Sequence, residues 1–383
     1  MARVESPRWR WWLVLAACCV AGPAVPERTN TLVPSDCRAT LALSSNSVDV
    51  ACLRLAYAGL QASWPKPEIS EGAVWQELAP LPARAPAPAD NPTTTQKVAL
   101  GRKLFEDPRL SSSGQIACAS CHDPELGWGD GRSVSFGHNR QQGRRNAPSV
   151  AMSGFAESLF WDGRAGSLEE QIRHPIENGK EMAFSSSSMV ERLNRSEDYP
   201  GEFEHVFGSS RITEKDIAQA LAAFERSLVP RANRYDRFLQ GQRELLTDQQ
   251  LWGLHLFRTK ARCMNCHSGP TLSDNRFHNL GLHFYGRPRQ DLGRYEVTQD
   301  VRDSGKFRTP SLRNVRKTGP YMHTGGFTDL RSVINAYNAG MPRPKPKSEQ
   351  GDDPLFPKPD PLLRPLGLQK EERDAIVAFL ETL

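Results

Sequence analysis

Apolar positions along the 383-residue chain recur mostly at helical spacing. From Thr93 to Phe105, Val98, Leu100, Leu104 and Phe105 form one stripe, and Thr95 is placed to cap the helix start. Thr213 to Leu228 opens with Thr213-Glu-Lys-Asp216, a capping residue with an acid three positions on, and predicts a long helix. Ser47–Ala62, Ser167–Ile172, Ser188–Leu193, Thr247–Phe257 and Gln369–Leu383 read as further helices. Loops separate them: a Gly-rich stretch from Gly127 to Asn146, a crossover from Arg231 to Gln242, and a Pro-rich stretch from Pro342 to Pro365. Pro65–Pro92, with Pro80, Pro82, Pro86 and Pro88, predicts an extended arm over the surface. No segment alternates strongly as a strand would. The expectation is a mainly α chain with long loops and little β, long enough for one large or two modest domains.

Composition refines this outline. Apolar residues at 38% can supply a packed core without a membrane bundle. Arg3, Arg8 and Arg10 precede the apolar run Trp11–Val20, which is too short to span a bilayer and fits an export signal cleaved after Ala24. Leu15-Ala-Ala-Cys18 also matches a lipoprotein box, which would leave Cys18 lipidated as an anchor; a simple cleaved signal is the plainer reading. Either points to the periplasm. The net charge is +5, and three Arg and one Glu lie within the first 24 residues, so the remainder carries +3. No nucleic-acid partner is read from that balance. Of the eight Cys, Cys18 and Cys19 fall in the signal. In an oxidising compartment Cys37 and Cys52 would form a disulfide; two buried thiols are the alternative.

The remaining four Cys carry the chemistry. Cys118-Ala-Ser-Cys121-His122 and Cys263-Met-Asn-Cys266-His267 each follow a helix, one in each half of the chain. In CxxCH the two thiols form thioethers to haem vinyl groups and the next His points its imidazole at the iron. Zinc sites pair CxxC motifs at close range, whereas these begin 145 residues apart. A redox dithiol would need a βαβ context that is missing here. Two covalently attached c-type haems follow, with His122 and His267 as proximal ligands. Their four propionates would bring the net charge to −1.

From about Asn91 onward the chain resembles the bacterial di-haem cytochrome c peroxidase family, which includes the MauG-type enzymes. The stretches that carry the resemblance are Leu100-Gly-Arg-Lys-Leu-Phe105, Cys118 to His122, Arg145-Asn-Ala-Pro148, Phe160-Trp-Asp-Gly-Arg-Ala165, Glu177-Asn-Gly-Lys-Glu-Met182, Cys263 to His267, Arg308-Thr-Pro-Ser-Leu-Arg-Asn314 and Pro320-Tyr-Met-His-Thr-Gly325. The first 90 residues are not covered. The resemblance implies two cytochrome c-like haem domains: a peroxidatic one over 93–242 and an electron-transfer one over 243–383, preceded by the signal (1–24) and an N-terminal extension with its Pro-rich arm (25–92). Glu181 falls on the family's distal acid, with Gln171 and Pro175 on pocket positions and His174 beside them. Heterolysis of peroxide needs a group that takes a proton from one oxygen and returns it to the other; read without the flanking motif, Glu181 would be a solvated loop residue. Trp161 matches a tryptophan between the haems, where it would relay an electron as well as pack. Asn146, Thr318 and Pro320 match oxygen donors to a calcium ion.

Two sixth ligands separate the subtypes within this resemblance. His138, in the Gly-rich loop, matches a removable cap on the first haem in ordinary peroxidases. At the second haem those enzymes place a Met; the corresponding position here is Tyr337, within Ala336-Tyr-Asn-Ala-Gly340, as in MauG-type enzymes. Met341 is the rival, but Gly340 and Pro342 should end the helix before it. Three functions are implied. The first is a peroxidase reducing hydrogen peroxide with electrons from a small cytochrome c, a cupredoxin or a quinol. The second is a MauG-like oxidase acting on a Tyr or Trp of a partner protein. The third is a non-catalytic electron carrier. Family members often form homodimers.

Overall fold

The computed structural model describes residues 48–383 together with Cys37 and Leu41. The export-signal and lipoprotein readings, residues 1–24 with Cys18, lie outside the described residues. In chain order the α-helices are α1 (Val50–Ala58), α2 (Thr95–Glu106), α3 (Leu168–Gln171), α4 (Arg173–Glu177), α5 (Ser186–Asn194), α6 (Tyr199–Phe207), α7 (Glu214–Ser227), α8 (Arg234–Leu239), α9 (Asp248–Arg258), α10 (Tyr295–Thr298), α11 (Leu330–Asn338) and α12 (Lys370–Leu380). Among the described residues the strands are two antiparallel pieces, β1 (Phe277–His278) and β2 (Phe307–Arg308), in register Phe277 to Arg308 and His278 to Phe307. The fold is mainly α with little β, as its hydrophobic spacing predicts.

Helix starts follow local side-chain chemistry. Thr213 accepts from the Asp216 amide and Asp216 accepts from the Thr213 amide, the reciprocal cap expected for α7. The cap of α2 is Thr94, not Thr95: Thr94 Oγ1 accepts from the Lys97 amide, and Thr95 is the first helical residue. Likewise α5 begins at Ser186 under a Ser185 cap, two residues before the sequence placed it. In a run of adjacent Ser or Thr, several side chains can cap equally well, so propensity alone does not choose among them. The crossover Arg231–Gln242 contains α8.

Among the described residues two apolar cores form. Leu100, Leu104 and Phe105 of α2 pack with Ile217, Leu221 and Phe224 of α7 in the first; Leu251, Leu254 and Phe257 of α9 pack with Ile376 and Phe379 of α12 in the second. Each helix pair closes on a glycine. A Cβ on Gly101 would lie 2.0 Å from the Ala220 carbonyl oxygen, and one on Gly253 would lie 2.0 Å from that of Ala375. Only glycine permits either crossing.

Pro65–Pro92 runs without helix or strand and mostly half-buried or exposed, as an arm would, but it is pinned where Leu78 enters the second core. Leu53, Tyr57 and Trp64, before it, belong to the same core, and Cys37 is disulfide-bonded to Cys52 on α1. Arg258, almost fully enclosed, pairs with Glu77 and donates to the Pro65 carbonyl at 3.0 Å. Ser70 and Asn265 exchange hydrogen bonds at 3.0 and 2.9 Å, which ties this segment to the second CxxCH turn. An apolar Trp or Leu among prolines reads as loop until a partner surface is known.

Candidate functional site

Each CxxCH motif forms a single 3-10 turn, Cys118–Ser120 and Cys263–Asn265, that directs its histidine inward. The His122 amide bonds to the Cys118 carbonyl at 3.1 Å, and the His267 amide to that of Cys263 at 2.8 Å. His122 Nδ1 lies 3.0 Å from the Trp128 carbonyl, and His267 Nδ1 lies 3.0 Å from that of Leu272. A carbonyl only accepts, so Nδ1 carries the proton in both rings and Nε2 keeps its lone pair. Burial lowers the pKa of both imidazoles, which also favours the neutral, ligating form. Cys118 and Cys263 are pushed up to about 12 by burial, so free thiols there would be inert.

One cavity of about 860 Å³ is lined by both motifs, near the upper end of the ~1,000 Å³ range of ligand pockets. Its wall holds the half-buried Arg308, whose guanidinium donates to the Phe160 and Thr309 carbonyls and faces no carboxylate among the described residues. Burial alone lowers its pKa to about 10. A partly buried cation without a counter-charge is costly, and a haem propionate would supply one. The thiols, the proximal imidazoles and this cation fit a haem at each motif.

At the first motif the cavity wall includes Gln171, at the end of α3, and Pro175, in α4. Glu181 joins them: Asn178 Nδ2 donates to its Oε1 at 2.7 Å, and its charge reaches the Cys121 sulfur. Burial raises the Glu181 pKa, partly offset by the Arg164 charge and the Asn178 hydrogen bond. His174 also lines the cavity, edge-on to Phe160 at 5.3 Å. His138 does not line it. Its amide donates to the Glu181 carbonyl at 2.7 Å, while its ring is turned to Ser112, 3.4 Å from the hydroxyl.

At the second motif Tyr337 lines the cavity and Met341 does not. Helix α11 ends at Asn338, and Gly340 adopts φ 86°, which turns the buried Met341 away. Burial raises the Tyr337 phenol above its ordinary range, followed by the charges of Cys266 and Cys263. Beside Cys266, His278 bonds to Asp360 at 2.7 Å and to Asp274 at 2.9 Å; burial opposes its charge, but the two carboxylates hold its pKa up, at about 12.

Between the motifs, Trp161 Nε1 donates to the Asn146 carbonyl at 2.9 Å, and the Arg308 amide donates to the Trp161 carbonyl at 2.8 Å. His323 stacks on Phe307 at 3.5 Å and lies edge-on to Trp161 at 6.2 Å. Burial pushes its pKa down to about 3, so the ring is neutral. Asn146 Nδ2 donates to the Arg132 carbonyl at 2.8 Å, and Asn146, Thr318 and Pro320 all line the cavity. Hard oxygen donors of this kind suit calcium. Across the junction Arg145 pairs with Asp291 at 2.7 Å and with Asp162. Sequence reasoning did not single out Arg308, His323, His278 or Glu225, which also line the cavity. The motifs around Arg308 and His323 were visible, but their roles depend on contacts far apart in sequence.

A family model described as di-haem cytochrome c peroxidase matches residues 95–244. The chain is 37% identical over 335 residues to cytochrome-c peroxidase IdrP1 of Pseudomonas sp. (strain SCT), covering 80% of this chain and 85% of that protein. It is 40% identical over 262 residues to methylamine utilization protein MauG of Methylophilus methylotrophus, covering 67% and 77%. Among solved structures, a MauG-like protein associated with microbial copper homeostasis superposes with a TM-score of 0.71 at 34% identity, covering 82% of this chain and 95% of that one. The diheme peroxidase BthA from Burkholderia thailandensis E264 gives 0.65 at 25% identity, covering 83% and 93%.

Proposed function

Because the chain belongs to the di-haem cytochrome c peroxidase family, oxidoreductases acting on peroxide, we propose that it reduces hydrogen peroxide to water at the pocket of His122, with electrons that enter through the site of His267. Each haem, when bound, supplies an iron that exchanges one electron at a time and, at the first site, a place for peroxide. Cys118, Cys121 and His122 would hold the first haem, and Cys263, Cys266 and His267 the second. Arg308 would neutralise a propionate.

The observation that carries this reading is Glu181. It is a half-buried carboxyl at the wall of the pocket that His122 also lines, with one oxygen fixed by Asn178. Its raised pKa brings it towards neutrality, where a carboxyl both accepts and returns a proton. Peroxide plus two electrons and two protons gives two waters, and Glu181 would move a proton from the inner to the outer oxygen. Gln171 and Pro175 would shape the same pocket. Trp161, held between the halves by Asn146 and Arg308, would pass electrons. The electron donor would be a small cytochrome c, a cupredoxin or a quinol, with the protein exported to the periplasm. Asn146, Thr318 and Pro320 would hold a calcium ion at the junction. His138, whose ring faces Ser112, would cap the first iron only if its loop turned over.

Steady-state peroxide consumption by the haem-loaded protein with reduced cytochrome c, reduced cupredoxin or quinol tests the proposal. Brisk turnover with one of them is expected, and no consumption with any would overturn it. A second reading, favoured by Tyr337 at the cavity wall, is a MauG-like oxidase acting on a Tyr or Trp of a partner protein. Phenolate stabilises ferric iron, which makes the second haem a poor acceptor from high-potential donors. Slow turnover, with the oxidising equivalents held on the protein for long periods, would favour that reading.

A further inference from the structure

Helix α7 sends three consecutive side chains in different directions. Phe224 packs on Phe105 and Trp128, with ring centroids 5.1 and 6.0 Å apart. Arg226 pairs with both oxygens of Glu169, on α3, at 2.6 and 2.7 Å. Glu225, between them, is 6% exposed and lines the cavity at the Cys118 end of the first pocket. Among the described residues no hydrogen bond joins its side chain to Glu181 or Trp161.

Its surroundings do not satisfy a carboxylate. Ser153 Oγ lies 3.3 Å from Glu225 Oε2 but only 2.8 Å from the Val150 carbonyl. The hydroxyl has one proton, which the nearer carbonyl takes the larger share of, so its donation to Glu225 is weak and lowers the carboxyl's pKa only in part. The charges about it largely answer one another. Arg226 favours the anion, while Glu169 opposes it and holds the Arg226 Nη2; Nη1 of that guanidinium is buried with no hydrogen-bond partner among the described residues. On the attachment turn, the Cys118 sulfur is also within reach of the Glu225 charge. Burial, the largest influence, raises the Glu225 pKa to about 7. The carboxyl is therefore balanced between its two forms at neutral pH, where one added or removed charge nearby decides between them.

We infer that Glu225 is the redox-linked proton site of the first pocket, taking up one proton from solvent when the first-site iron gains an electron from the donor and releasing it on reoxidation. Charge would be conserved at the pocket: a ferric iron held by His122 would favour the Glu225 carboxylate, and a ferrous one, with one positive charge fewer, would favour the acid. Glu225 would thus hold one of the two protons that peroxide reduction consumes. The inference rests on the first motif carrying the peroxide-reactive haem.

The test is spectroelectrochemistry of the full-length, haem-loaded protein across neutral pH. In the parent, the first haem's midpoint potential should fall as pH rises, approaching about 59 mV for each tenfold drop in proton concentration, the one-electron limit. Glu225→Gln should be flat over the same range, and Glu225→Asp should restore part of the slope. Reduced-minus-oxidised infrared spectra should show a protonated carboxyl band that Glu225→Gln lacks. An undiminished slope in Glu225→Gln, or no such band in the parent, overturns the inference. Should Glu225→Gln fail to load haem, the parent's band and the Glu225→Asp slope decide. Absence of any redox wave from the first site would instead count against the di-haem reading beneath it.

Discussion

In the first half of the molecule α2 crosses α7 at Gly101; in the second, α9 crosses α12 at Gly253. Both crossings lead into a CxxCH turn whose histidine is oriented by a backbone carbonyl three ångströms away. Beyond that shared plan the walls diverge. The first pocket presents two carboxyls, the half-buried Glu181 and the buried Glu225, with Gln171 and Pro175. The second presents a phenol, Tyr337, while the N-terminal segment holds its attachment turn through Ser70 and Asn265. The helix pair and attachment turn position a haem; the facing wall decides its chemistry. Acids near an iron handle protons, and a phenol near an iron sets its potential.

The largest expected effect breaks the first wall. Glu181→Gln keeps the shape and removes the exchangeable proton, so peroxide turnover should fall by roughly 10²- to 10⁴-fold, the usual contribution of a general acid–base group. Absorbance of both haems should be unchanged. Turnover within a few fold of the parent would remove Glu181 from the mechanism.

The second wall comes next. Tyr337→Met should raise the second haem's potential by a sizeable part of the ~0.8 V that axial ligands span, whereas Met341→Leu should leave it alone. If the ferric parent shows the near-infrared band of His/Met ligation, and Met341→Leu abolishes it, the assignment of the two residues must be exchanged.

A smaller effect follows from burial of Glu225. Its folded pKa of about 7 lies above the ordinary 4.5. That difference costs no stability below the lower value, costs progressively more as pH rises between them, and is complete above about 7. At 1.36 kcal/mol per unit the cost reaches up to about 3 kcal/mol. Glu225→Gln should therefore melt higher than the parent at about pH 8 and about equally at pH 5. An equal difference at both values would show that the carboxyl does not titrate in this range.

The smallest concerns the junction that both halves share. Chelating calcium should slow turnover and disturb electron passage between the haems, and adding calcium back should restore both. Turnover indifferent to chelator, with no calcium found by elemental analysis, would remove Asn146, Thr318 and Pro320 from a metal site.

Much of this comparison was legible in the sequence, for definite reasons. Amphipathic stripes such as Val98, Leu100, Leu104 and Phe105 are local, and the CxxCH turns specify their own geometry. The resemblance pointed to Glu181, Gln171, Pro175, Trp161 and Tyr337, all of which line the cavity. What stayed hidden depends on distant partners. Glu77 becomes meaningful only beside Arg258, 181 residues away. His323 looks like a loop histidine until Phe307 stacks on it. Glu225 lies amid apolar neighbours on a strongly patterned helix, next to an arginine that would seem its natural partner; in three dimensions that arginine turns its Nη2 to Glu169. The orientation of the His138 ring towards Ser112 is likewise a tertiary choice that no local pattern encodes.

The inequality of the two sites is tested most directly by electron paramagnetic resonance of the ferric protein during titration with cyanide, in the parent and in Tyr337→Phe. In the parent, only the haem of His122 should bind cyanide and shift its signal, while the haem of His267 stays unchanged. In Tyr337→Phe both should shift. Binding at the His267 haem of the parent, or equal binding at both, would contradict a second site closed by Tyr337 and a first site open to peroxide.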